Sequence, residues 1–140
     1  MPLKFKLEKD KGALLPVRAH STDAGADILT PRNFMLPARS SAIIRTGVHV
    51  ELPPETVGML KSKSGLNIFH DIVGEGVIDE GFDGEIVVKL YNLGDSPYRF
   101  QRGDKIIQLV LLKTSYPSIA QVEEISGGER GSAGYGSTGR

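Results

Sequence analysis

Apolar residues in this chain recur at every second position, and glycines and prolines cut the alternation into short runs. Leu3, Phe5 and Leu7 alternate with lysines, and Ile86, Val88 and Leu90 alternate with Val87 and Lys89. A period of two lines up one face of a pleated strand, whereas a helix would need a period of 3.6. Further strands are predicted over 41–45, 48–52, 57–61, 98–100, 106–112 and 121–125. Pro31, Pro37, Pro53, Pro54, Pro97 and Pro117 fall between or at the ends of these runs, where a missing N–H costs no ladder bond. Only Ser64–His70 reads as a short helix. Many short strands with turn signals about every ten residues predict an all-β chain, an antiparallel barrel or jelly-roll-like sandwich.

Length and charge exclude several function classes. At 140 residues the chain suits one domain, able to bury about two thirds of its unfolded surface. Seventeen basic residues balance seventeen acidic ones, so no global field favours nucleic acid or an anionic membrane, and any anion must be held locally. The absence of cysteine removes thiolate chemistry, and His20, His49 and His70 lack metal-ligand spacing. The longest apolar stretch is short and interrupted by Gln108, and the N-terminus carries no apolar signal region. The expectation is a soluble, cytoplasmic protein.

Four segments could carry chemistry. The tail GGERGSAGYGSTGR from Gly127 combines glycines, whose backbone N–H groups can approach phosphate oxygens, with a guanidinium, two adjacent hydroxyls and an aromatic ring. The same composition suits a flexible glycine-serine tail. In GMLKSKSGLN, Lys63, Ser64 and Gly65 gather a cation, a hydroxyl and a permissive backbone where a strand yields to a helix start, and Ser64 equally suits a helix N-cap. In GEGVIDEGFDGEI, Asp79 follows two β-branched residues at the end of a strand taken to be buried, where a turn begins. An ionised carboxylate there can orient and deprotonate a water, although Asp is also a common turn former and Phe82 a common core residue. In RGDKIIQLVL, Gln108 interrupts an apolar run and needs a partner, from a ligand or from a neighbouring backbone group.

In order and spacing these segments resemble the trimeric dUTP pyrophosphatases, the dUTPases. The family's five motifs correspond to DAGADIL from Asp23, KSKSGLN from Lys61, GVIDEGFDGEI from Gly76, RGDKIIQLV from Arg102 and ERGSAGYGSTG from Glu129, which together span essentially the whole chain. The resemblance implies a distorted jelly-roll β-barrel over 1–126 and a flexible glycine-rich arm over 127–140 that closes over a neighbouring subunit's site. It implies a homotrimer with shared active sites that hydrolyses dUTP to dUMP and pyrophosphate with Mg²⁺, limiting uracil in DNA and supplying dUMP for dTMP synthesis. By motif match Asp79 would activate the water that attacks the α-phosphorus. Asp27 would hold the metal through water, and Lys63, Ser64, Gly65 and Gln108 would meet the phosphates. Arg130, Ser137 and Thr138 would clamp the terminal phosphate, with Tyr135 stacking on uracil between Gly134 and Gly136. Backbone around Gly76, Val77 and Ile78 would read the uracil edge, and Phe82 would lie under the deoxyribose and exclude a 2′-hydroxyl.

The chain departs from the family's usual pattern at three positions. Lys63 stands where arginine is usual and loses the bidentate fork, Phe82 stands for tyrosine, and Tyr135 for phenylalanine. The rival in the same fold is dCTP deaminase, which shares an IDEGFDGEI-like segment. Its catalytic glutamate would fall at Lys89, and an ammonium cannot replace a carboxylate in shuttling protons to a leaving amine. A regulatory protein that switches a partner through nucleotide-dependent tail ordering is the alternative from another class.

Overall fold

The computed structural model describes residues 2–139; Met1 and Arg140, the outer ends of the expected 1–126 and 127–140 segments, lie outside the described residues. The strands are β1 (Lys4–Leu7), β2 (Gly25–Leu29), β3 (Phe34–Leu36), β4 (Ser40–Arg45), β5 (Val48–Glu51), β6 (Thr56–Lys61), β7 (Ile72–Val73), β8 (Glu75–Ile78), β9 (Val87–Asn92), β10 (Tyr98–Phe100) and β11 (Lys105–Lys113). Among the described residues there is one α-helix, α1 (Ser64–His70), which leads into β7, and one 3-10 turn at Lys9–Lys11. No helix among the described residues is long and apolar enough to cross a membrane.

Every strand pairing is antiparallel. A four-stranded sheet in the order β2-β11-β6-β8 and a three-stranded sheet β4-β9-β7 share one core with the pairs β1-β5 and β10-β3, a jelly-roll-like arrangement. Between the layers Ile28, Leu36, Ile44, Val48, Val88, Leu90, Phe100, Ile107 and Leu109 form a continuous apolar core. β9 shows how the alternation becomes structure: Val88, Leu90 and Asn92 are buried while Val87, Lys89 and Tyr91 face out. Buried Asn92 uses its amide fully, donating to the carbonyls of Leu36 at 3.3 Å and Ser96 at 2.8 Å and accepting from the Gly94 N–H at 3.0 Å.

The observed β4, β5, β6, β9, β10 and β11 lie within two residues of the expected strands. Two expectations are corrected. The run 121–125 forms no strand: Val122 and Ile125 are exposed, and among the described residues no strand pairs with them to complete a ladder. The strand before Asp79 is not buried either. β8 is the edge of its sheet, with Val77 62% exposed and only Ile78 turned into the core.

Candidate active site

Sheet register assembles the first half of the site. β11 lies between β2 and β6, and a bulge shifts its pairing with β2 between Lys105 and Ile107. Without the extra residue Ile107 would stand opposite Asp27; with it, Gln108 does, and Gln108 also faces Lys61 on the other side. The Gln108 amide donates to the Ser62 carbonyl at 3.1 Å. Gly25 leaves room for it, since a Cβ there would come within 2.5 Å of Gln108 Oε1. A backbone partner thus holds the polar side chain with its carbonyl oxygen turned toward Gly25.

Asp27 is buried and sits between two cations, with Lys63 Nζ 2.5 Å from Oδ1 and Lys105 Nζ 3.4 Å from Oδ2. Lys63 is also the N-cap position of α1, so Ser64 is the first helical residue rather than the cap, and no side chain caps this end. The first intrahelical bond comes from the Asn67 N–H to the Lys63 carbonyl at 2.9 Å, which leaves the N–H groups of Ser64, Gly65 and Leu66 without helical partners. Nothing lies within 4 Å of where a Gly65 Cβ would be, so the chain's own packing does not require glycine there, and the backbone is open to a close approach. Gly76 is different, because a Cβ there would meet Leu60 at 2.9 Å. Packing between β8 and β6 accounts for that glycine.

The second half lies along β8 and beyond. β8 is paired with β6 on one side only, which leaves the outward-pointing N–H and C=O groups of alternate residues along Gly76, Val77 and Ile78 unpaired on the other. Asp79 then opens a turn closed by the Phe82 N–H donating to the Asp79 carbonyl at 3.1 Å, with Gly81 at φ 87°, the left-handed conformation that the third position of a type II turn demands. Phe82 is half exposed, and its ring lies over Gly84, where a Cβ would come within 2.6 Å of Cζ.

Asp79 lines an open cleft of about 530 Å³ with Thr56, Val57, Glu80, Thr114 and Tyr116. No pattern along the chain points to the pairing of Glu80 with Tyr116, which meet only in three dimensions. Glu80 Oε1 accepts from the Tyr116 hydroxyl at 2.8 Å and from the Glu55 N–H at 2.7 Å, pinning the residue beside Asp79. The Tyr116 hydroxyl, then the Glu55 N–H, hold the Glu80 carboxyl below its ordinary range, and the same bond pushes the Tyr116 phenol up.

The two halves do not meet within one chain. Lys61 pairs with Glu75 and Gly58 with Ile78, so Val57 faces Asp79 at the far end of β6 from Ser64. The four residue steps from Val57 to Lys61 span about 13 Å of strand, and Ser64 lies beyond them. The tail forms a third group. Turns close from the Ala133 N–H to the Arg130 carbonyl at 2.9 Å and from the Ser137 N–H to the Gly134 carbonyl at 3.0 Å, and Arg130 Nη1 donates to Ser137 Oγ at 2.9 Å. Arg130 and Ser137 are thereby together, with Thr138 next in sequence, while Tyr135 is fully exposed beside Gly134 and Gly136.

Among the described residues no cluster of three or more His, Asp or Glu could cage a metal. Mg²⁺ keeps several waters and binds through one or two carboxylates plus substrate phosphates. A lone carboxylate at Asp27, beside cations and hydrogen-bond donors suited to phosphate, fits an ion that arrives with a triphosphate and meets the protein through its waters. Lys89 stands apart from these groups, its ammonium 5.2 Å above the Tyr91 ring on the outer face of β9.

The family model for dUTPase matches residues 11–139. Deoxyuridine 5'-triphosphate nucleotidohydrolase of Clostridium acetobutylicum is 38% identical over 98% of this chain and 97% of its own, and the human mitochondrial protein of that name is 36% identical over 100% of this chain and 56% of its own. A variant of the dUTPase of Staphylococcus bacteriophage 80alpha, solved with dUpNHpp, superposes with a TM-score of 0.87 at 32% identity over 99% of both chains. A dUTPase variant from phage phi11 of S. aureus, whose structure shows a structural Mg(II) ion, gives a TM-score of 0.81 at 28% identity over 91% of this chain and 100% of its own. On this evidence the chain belongs to the dUTPase family and is an enzyme that hydrolyses dUTP.

Proposed function

We propose that the protein converts dUTP to dUMP and pyrophosphate in sites assembled from three copies of the chain. The observation that carries this reading is the separation of the phosphate-binding end of the sheet from Asp79 and of both from the tail. A nucleotide that must touch all three groups needs more than one copy. The N–H groups at the start of α1, the Ser64 hydroxyl and Gln108 hold the α- and β-phosphates, with Lys63 offsetting their charge. The open edge of β8 offers paired donors and acceptors to the uracil edge, and the Phe82 ring supports the deoxyribose. Arg130, Ser137 and Thr138 fold over the terminal phosphate while Tyr135 stacks on the base, which excludes water other than the nucleophile.

Asp79 orients one water in line with the α-phosphorus and accepts its proton as the new P–O bond forms. The bond from the α-phosphorus to the bridging oxygen breaks, and pyrophosphate leaves. Mg²⁺, met through water by Asp27, supplies charge neutralisation for the triphosphate. We place this activity in the cytoplasm.

Pyrophosphate release from dUTP, dCTP, dTTP and UTP, each supplied separately with Mg²⁺, tests the reading. Turnover of dUTP alone is expected, with Asp79→Asn lowering kcat about 10²- to 10⁴-fold while folding is kept, since Asp79 is exposed. dUTP production from dCTP would contradict it. A second reading has one observation in its favour: the phage 80alpha dUTPase, TM-score 0.87 at 33% identity, is described as controlling transfer of virulence genes by a proto-oncogenic G protein-like mechanism. Tight dUTP binding without turnover would favour such a nucleotide-responsive switch here.

A further inference from the structure

The loop that carries Asp79 and Phe82 is tied to the barrel at three places. Glu80 is held at its start by Tyr116 and the Glu55 N–H. Glu85 is held at its end, accepting from the Gly47 N–H at 2.8 Å and from Arg45 Nη1 at 3.3 Å. Between them, among the described residues, one hydrogen bond joins 81–84 to the barrel, and it comes from His49 on β5. His49 Nδ1 lies 2.7 Å from the Asp83 carbonyl oxygen, and Nε2 lies 2.9 Å from Glu8 Oε2.

Neither partner has a proton to give. A carbonyl oxygen only accepts, and the Glu8 carboxyl is kept ionised by its hydrogen bonds from His49 and Lys11. Both ring nitrogens must therefore donate, and a ring that donates twice is an imidazolium. Glu8 is itself fixed, its N–H donating to the Gly47 carbonyl at 2.8 Å and its Oε1 lying 3.0 Å from Lys11 Nζ. We propose that His49, as an imidazolium bridging Glu8 to the Asp83 carbonyl, is a positioning residue for the dUTP site, fixing the loop on which Asp79 and Phe82 stand. The inference rests on the roles given above to those two residues.

The surrounding charges decide how the bridge responds to pH. On β1, Lys6 stands directly opposite His49 and opposes its charge, and the Lys4–Glu51 pair lies beyond. After β1 come Glu8 and Lys11; on the loop stand the carboxylates of Asp83 and Glu85. The hydrogen bond to the Asp83 carbonyl, then that to Glu8, outweigh burial and Lys6 and hold the His49 pKa above the ordinary 6.5. As pH rises through that raised value one N–H is lost, a nitrogen lone pair meets an oxygen lone pair, and one end of the bridge opens. At lower pH the bridge is complete.

The test is kcat and KM for dUTP and for UTP, with Mg²⁺, from about pH 6 to about pH 9, on the full chain and two variants. The wild type is expected to lose kcat/KM for dUTP on an alkaline limb with a midpoint above 6.5. Glu8→Gln keeps the ring but removes its carboxylate, and moves the midpoint down. His49→Gln abolishes the limb and lowers kcat/KM about tenfold at neutral pH, mainly through KM and through a weaker preference for dUTP over UTP. Ring ¹⁵N spectra of the unaltered protein need no variant and should show both His49 nitrogens protonated at neutral pH. A singly protonated ring there, or wild-type profiles in both variants, overturns the proposal. An active wild type with a flat alkaline side overturns the role of His49 alone, whereas no turnover of dUTP at any pH removes the Asp79 reading and this one with it.

Discussion

Single residues in this site are explained by what they leave room for as much as by what they touch. Gly25 has no side chain because the Gln108 amide occupies the space. Gly25→Ala should push that amide off the Ser62 carbonyl and raise KM for dUTP about tenfold with a smaller change in kcat, which steady-state kinetics would show. Glu80 illustrates the reverse case, a side chain whose partners set its charge. Because its pKa is depressed, its contribution to stability is present above the ordinary value of 4.5 and is lost as pH falls through the lower folded value. Tyr116→Phe removes the larger cause, so a carboxyl NMR titration should find the Glu80 pKa moved up toward 4.5. An unmoved titration would mean that the Glu55 N–H alone sets it.

At the scale of elements, α1 is the part most dependent on one contact. Leu66 is its only buried residue, and it anchors the turn that presents Ser64 and Gly65. Leu66→Ala should cost about 2–3 kcal/mol in a denaturant titration and weaken nucleotide binding with it. Elements also show where the sequence was legible. β9 alternates between buried and exposed along its whole length because one face is solvated, and α1 was bounded by its own residues. β2 gave no alternation because four of its five residues are buried, on both faces, so a strand holding Asp27 read only as a motif. The bulge in β11 left no trace in composition, yet it decides that Gln108 and not Ile107 faces Asp27. Conversely, 121–125 carries two β-branched residues, but Val122 and Ile125 are three apart and would point to opposite faces of a strand, and no strand among the described residues pairs with the run. The proposed site residues rest on their motifs, whereas the contacts of Glu80 with Tyr116 and of Glu8 with His49 left no trace in the sequence, since they join positions 36 and 41 residues apart.

The whole molecule presents three incomplete groups, and the proposed activity requires that different copies supply them. Among the described residues Arg130 to Thr138 make hydrogen bonds only within the tail, so a chain ending at Gly127 should keep its thermal midpoint while losing dUTP turnover. Asp79→Asn should fold equally well and be equally inactive. The decisive measurement is pyrophosphate release from dUTP after these two inactive proteins are mixed in equal amounts and allowed to exchange subunits. If Asp79 and the tail reach each site from different copies, half of the Asp79 positions and half of the tails are intact independently, and about one quarter of the sites regain activity. If the mixture stays inactive at every ratio although the subunits have exchanged, Asp79 and the tail act from the same copy and the composite site is wrong.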